Sequence, residues 1–136
     1  LNPGFDPGPL SRIASGGEMS RVMLALKSIL AGVDNIPSLI FDEIDAGIGG
    51  EVALKVAGKL REVAAHHQVF VITHLPQLAS RAHQQLVVEK VEVAGMASTR
   101  VRELTGEERI VEVARMLGGD PESSASREHA RELLGW

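Results

Sequence analysis

Leu39-Ile40-Phe41-Asp42-Glu43 is an apolar run that ends in two adjacent carboxylates. Upstream stands Ala14-Ser15-Gly16-Gly17-Glu18, and downstream a second apolar run ends Val71-Ile72-Thr73-His74. A short hydrophobic strand belongs in a buried parallel sheet, and its carboxyl end opens into the crevice where ligands bind. An Asp at that end can hold Mg²⁺, directly or through water, while the Glu beside it can orient and deprotonate an attacking water. A Gly-rich turn that opens a helix offers backbone N–H groups and a positive dipole end to a phosphate. Together these are parts of a nucleotide-hydrolysing site.

The phosphate cradle itself is missing. No G-x-x-x-x-G-K-[ST] occurs, because none of the glycine clusters is followed by Lys-Ser or Lys-Thr. The chain therefore looks like one half of an ATPase, separated from the half that grips the triphosphate.

The elements that must position these groups follow from periodicity and turn chemistry. Residues 1–10 hold three prolines and two glycines and form an irregular segment. A helix is expected over about 15–31, with Ser15 as N-cap, Glu18 completing a capping box, and Met19, Val22, Met23, Leu26, Ile29 and Leu30 at helical spacing. Strand 38–43, a glycine-rich loop 45–50, a helix over about 51–65 and a strand 68–74 come next. The helix should show Val52, Val56, Leu60 and Val63 on one face. Pro76 opens a short helix over 76–81. A hairpin over 86–104 turns through Ala94-Gly95-Met96-Ala97, and helices fill 107–134. The stripe of the first of these is Ile110, Val111, Ala114 and Leu117. Strand, crossover helix, strand is the βαβ signature, so the fold class is α/β: a largely parallel sheet flanked by helices, with a late hairpin and C-terminal helices, in one lobe over 1–136. Asp42, Glu43 and His74 then share one carboxyl edge.

Composition excludes several classes. At 136 residues with 44% hydrophobic side chains the chain can build a core, and with only 3% aromatics that core is aliphatic. It has no Cys, hence no disulfide or thiolate zinc site. No apolar run approaches the ~20 residues that span a bilayer, so no membrane partner is expected. The net charge of −4 and the scatter of Lys and Arg among acids give no basic stripe for DNA. An incomplete sheet leaves an open edge and bare apolar faces, so the chain alone should self-associate.

Ser15-Gly16-Gly17-Glu18 resembles the signature motif of ABC-type ATPases in the form used by the SMC and DNA-repair branches. Residues 39–43 resemble the Walker B motif, 45–49 the D-loop, and His74 the switch histidine. The longer strings, Ala14-Ser15-Gly16-Gly17-Glu18-Met19-Ser20-Arg21, Phe41-Asp42-Glu43-Ile44-Asp45-Ala46-Gly47-Ile48-Gly49-Gly50 and Thr73-His74-Leu75-Pro76-Gln77-Leu78-Ala79, are similar to the RecN family of bacterial recombination-repair proteins. So is Ala114-Arg115-Met116-Leu117-Gly118-Gly119. The resemblance implies the C-terminal lobe of an ATPase head, completed by an N-terminal Walker A half beyond a coiled coil. It implies ATP and Mg²⁺ as ligands, a second head as partner on ATP binding, double-stranded DNA engaged through the full protein, and a place in the bacterial cytoplasm at the nucleoid.

By that resemblance Glu43 is the catalytic base, His74 contacts the γ-phosphate, and Asp42 binds Mg²⁺ through water. Ser15, Gly16, Gly17 and Glu18 meet the γ-phosphate held by another head, and Asp45 lies at the dimer interface. Each has a plainer alternative. Asp42 and Glu43 could end a strand as a cap and a solvated acid, Ser15 could only cap a helix, His74 could be structural, and Asp45 could cap the next helix. Arg12 is either a contact to nucleotide or partner, or a solvated arginine. His66 and His67 are expected exposed at a helix end, the Met19/Met23 pair buried, and Arg127 and Arg131 on a solvated face. A head of the cohesion or Rad50 type would continue with Ala-Ala-Leu-Asp after Asp45, where this chain has Ala-Gly-Ile-Gly-Gly. A transporter subunit more often carries Gln at position 18. A non-hydrolysing scaffold is the remaining alternative.

Overall fold

The computed structural model describes residues 14–30, 32–33, 35–93 and 95–136. Residues 1–13, and with them the irregular segment and Arg12, lie outside the described residues. The elements in chain order are α1 (Gly16–Leu30), β1 (Ser38–Phe41), α2 (Gly50–Ala64), β2 (Gln68–Val71), α3 (Pro76–Ala79), β3 (Gln85–Val93), β4 (Met96–Leu104), α4 (Glu107–Met116) and α5 (Ser124–Leu134). Where one lobe is expected, the chain divides into two compact units, Leu1–Leu78 and Ala79–Trp136.

In the first unit β1 and β2 pair in parallel, with Leu39 beside Val69 and Phe41 beside Val71. The crossover between them is α2, as a parallel pair requires. This sheet has two strands among the described residues. Leu39 and Phe41 are buried with Ile44, Leu60 and Val63, while Ile40 between them is 72% exposed. The expectation of a strand buried on both faces is thus corrected: with one covered face, β1 alternates.

A second correction concerns α1. Its buried positions are Gly17, Leu24 and Lys27. The anticipated stripe of Val22, Met23, Leu26, Ile29 and Leu30 stays exposed, so the Met19/Met23 pair is not core packing. The helix turns Leu24 toward β1 and α2 and leaves its wider apolar face bare. An open apolar hollow of ≈ 330 Å³, lined by Met19, Met23, Leu39 and Ile40 among others, lies on that side. In α2 the small residues Ala53 and Ala57 join Leu60 and Val63 in the core, and Val52 points out. His67 is a third correction. It is buried, with Nδ1 2.6 Å from the Ile36 carbonyl oxygen, because the chain folds back there into β2.

In the second unit β3 and β4 form an antiparallel hairpin in which Val93 faces Met96. The strands run longer than expected, and the connection shrinks to positions 94–95. Gly95 at φ +77° supplies the left-handed conformation a tight turn demands. α4 and α5 pack through Ile110, Val113, Ala114 and Ala130. Arg127 and Arg131 pair with Glu107 at 3.6 and 3.2 Å, so that face is tied internally.

Candidate active site

The turn after β1 is held from two sides. Within it the Ala46 amide donates to the Glu43 carbonyl at 2.9 Å, and the Glu43 amide donates to Asp42 Oδ1 at 2.8 Å. From α1, Ser20 Oγ donates to the Asp42 carbonyl at 2.8 Å, and Arg21 Nη1 to the carbonyls of Ile44 and Ala46 at 3.0 and 2.9 Å. From the end of β2, Thr73 Oγ1 and the His74 amide donate to Asp45 Oδ2 at 2.5 and 3.0 Å. Held this way, Glu43 adopts φ +56°, a left-handed conformation that costs a non-glycine residue about 1–2 kcal/mol. Strain kept at an exposed carboxylate marks a residue whose side chain matters more than its backbone comfort.

The glycine pair sits against the same turn. A Cβ on Gly17 would lie 2.8 Å from both Ala46 Cβ and the Glu43 carbonyl oxygen, so only glycine lets α1 approach. A Cβ on Gly16 would meet Glu43 Oε2, which can swing aside. Gly17 therefore has a packing role beside the phosphate contact expected of it.

Ser15 and Glu18 form both bonds of the capping box. The Ser15 amide donates to Glu18 Oε2 at 2.8 Å, and the Glu18 amide donates to Ser15 Oγ at 3.2 Å. The Ser15 amide first, and then its hydroxyl, hold the Glu18 carboxyl below its ordinary range. The N–H groups at the start of α1 have no partner within the helix, as at any helix start, and the dipole adds positive potential there.

Asp45 is buried. Burial, the largest single influence, raises its pKa, but the bonds from Thr73 and the His74 amide and the nearby His74 ring outweigh it, and the net shift is downward. Its ring partner, His74 Nδ1, stands 3.0 Å from Oδ2, and the His74 side chain is 78% exposed. Asp45 does not cap α2, whose N-cap is Gly49.

Asp42, Glu43, Asp45 and His74 thus gather at the carboxyl ends of the parallel pair, with Ser15, Gly16, Gly17 and Glu18 at the neighbouring helix start. Ser20, Arg21 and Thr73 were given no role from sequence. A hydroxyl and a guanidinium one turn after the glycines, and a hydroxyl just before His74, were the available signals. Among the described residues no three acids or histidines converge on a metal position. Mg²⁺ binds through one or two carboxylates plus phosphates and waters rather than in a protein cage. Asp42, exposed and with only Oδ1 engaged by the Glu43 amide, is the carboxylate that fits. Among the described residues no helix is long and apolar enough to cross a membrane.

No protein-family model matches the chain. Over 133 residues, 98% of its length, it is 56% identical to the DNA repair protein RecN of Deinococcus radiodurans. It is 47% identical to RecN of Streptomyces coelicolor and 44% to RecN of Bacillus subtilis over the same span. The chain spans 23% of the length of each of these curated relatives. A solved chain from the structural biochemistry of ATP-driven dimerization and DNA stimulated activation of SMC ATPases superposes with a TM-score of 0.52 and 25% identity. That match covers 82% of this chain and 68% of the other. The chain is RecN-like along 98% of its length and carries the fold of a lobe of an SMC-type ATPase head.

Proposed function

We propose that this chain, joined to a Walker A-bearing half, completes an SMC-like ATPase head that binds and hydrolyses ATP between two heads to serve double-strand break repair. The observation that carries the reading is the bolted turn 42–46, which gathers two exposed carboxylates and His74 at one sheet end and packs directly on the glycine pair. Mg²⁺ bound with the nucleotide would supply charge neutralisation at the phosphates. Asp42 would hold that ion through water. Glu43 takes a proton from the attacking water, and His74 faces the phosphate side. Ser15 and the amides of Gly16 and Gly17 donate to the γ-phosphate held by the opposing head, and Glu18 holds Ser15 in place for that contact. Asp45 belongs to the D-loop beside the head–head interface. Double-stranded DNA acts through the full protein.

Mixing this chain with its Walker A half and following phosphate release, with and without linear double-stranded DNA, tests the reading. Turnover that needs both pieces and rises with DNA is expected. ATP binding without hydrolysis under every condition would leave a non-hydrolysing scaffold in its place.

A further inference from the structure

Exposed histidines ordinarily sample both tautomers and several rotamers, yet His74 is tied at its inner nitrogen. Asp45 Oδ2 gathers Thr73 Oγ1 at 2.5 Å, the His74 amide at 3.0 Å and His74 Nδ1 at 3.0 Å. An ionised carboxylate only accepts, so Nδ1 carries the proton and, in the neutral ring, the lone pair lies on Nε2. Thr73 is placed with equal economy: its oxygen accepts from the Leu75 amide at 3.0 Å and its single proton goes to Asp45. The Asp45 side chain is 6% exposed, which shields these bonds from competing water.

Resting on the reading of Asp42, Glu43 and His74 as hydrolytic groups, we infer that Asp45 is a positioning residue, fixing the His74 ring with Nε2 outward so that it accepts a hydrogen bond from the attacking water. That water has two hydrogens and meets two acceptors. One proton goes to Glu43, the other hydrogen bonds to Nε2, and an oxygen lone pair forms the bond to the γ-phosphorus while the bond from phosphorus to the bridging oxygen breaks and its electron pair leaves on ADP. Aspartate paired to the far nitrogen of a catalytic imidazole sets the tautomer in the same way elsewhere.

Asp45→Leu in the complete protein roughly keeps the side-chain volume and offers Nδ1 no acceptor at all. The expected result is a kcat about 10–100-fold lower, the usual scale for a group that orients a reacting one, with KM for ATP unchanged. Because Asp45 acts through His74, the same substitution made on His74→Ala should have no further effect on kcat. An equal loss in both backgrounds, or none in either, overturns the inference while leaving the proposed function standing. If His74→Ala itself leaves kcat unchanged, the proposed role of His74 fails and this inference fails with it. Should Asp45→Leu not fold by circular dichroism, Thr73→Val loosens Asp45 without touching the ring. Its smaller loss of kcat should likewise vanish on His74→Ala, and persistence there would overturn the inference.

Discussion

Arg21 in the first unit and Arg109 in the second each fasten a turn by donating to two of its carbonyls: Ile44 and Ala46 for one, Ala79 and Ala82 for the other. The surroundings differ. Arg109 also reaches Gln85 and lies 5.6 Å from the Trp136 ring centroid, and the same unit holds ion pairs of Arg102 with Glu108 and Arg127 with Glu122. Arg21 holds a turn whose carboxylates at 42 and 43 face outward, one of them on a strained backbone. On the proposed function, the same fastening serves a scaffold in one unit and aims the hydrolytic groups in the other.

Glu43→Gln is the severest way to break that contrast. In the completed head it should retain ATP binding and lose about 10²–10⁴ in turnover, the range of general-base catalysis, in a single-turnover phosphate assay. Retained turnover would make the exposed carboxylates of the first unit as inert as those of the second. Ser15→Arg comes next: a bulky cation at the start of α1 should abolish ATP-driven dimers by light scattering while each head still binds nucleotide. Dimers that survive it would remove Ser15 from the interface.

The two arginines give a direct comparison. Arg109→Ala leaves the Ala79 and Ala82 carbonyls without that partner and should cost about 1–3 kcal/mol in urea unfolding, with kcat preserved. Arg21→Ala should instead lower kcat about 10-fold, as expected for a group that orients reacting ones. Matching effects on both readouts would erase the distinction between the units. The smallest effect is at Glu18. Its carboxyl is held below its ordinary value of 4.5, so its contribution is fully present above that value and disappears as pH falls through the depressed one. Glu18→Ala should therefore lower Tm at neutral pH, and the difference from the parent should close in acid.

What the sequence made legible was local. The capping box of Ser15 and Glu18 and the apolar β1 and β2 each follow from residues within a few positions of one another. Hidden were matters decided by partners far along the chain. Which face of α1 is covered depends on Leu24 meeting β1 and α2, not on the strongest stripe. His67 is buried because the chain returns past Ile36. Thr73, Ser20 and Arg21 acquire roles only when Asp45, Asp42 and Ala46 arrive beside them. The hairpin connection is shorter than its sequence suggests because Met96 and Ala97 resemble loop residues but pair with Val93 and Glu92.

The bolts on turn 42–46 join residues 22 to 29 positions apart, whereas the β3–β4 hairpin closes across positions 94 and 95. Long closures form late and short ones early, because chain entropy must be overcome before a distant bond can repay it. The hairpin can therefore zip up while the site is still unmade, and Glu43 reaches its left-handed conformation only after α1, β1 and β2 have come together. On mild heating the order reverses: the exposed long-range bonds from Ser20 and Arg21 open before the apolar core melts. Loss of turnover should thus precede loss of helix.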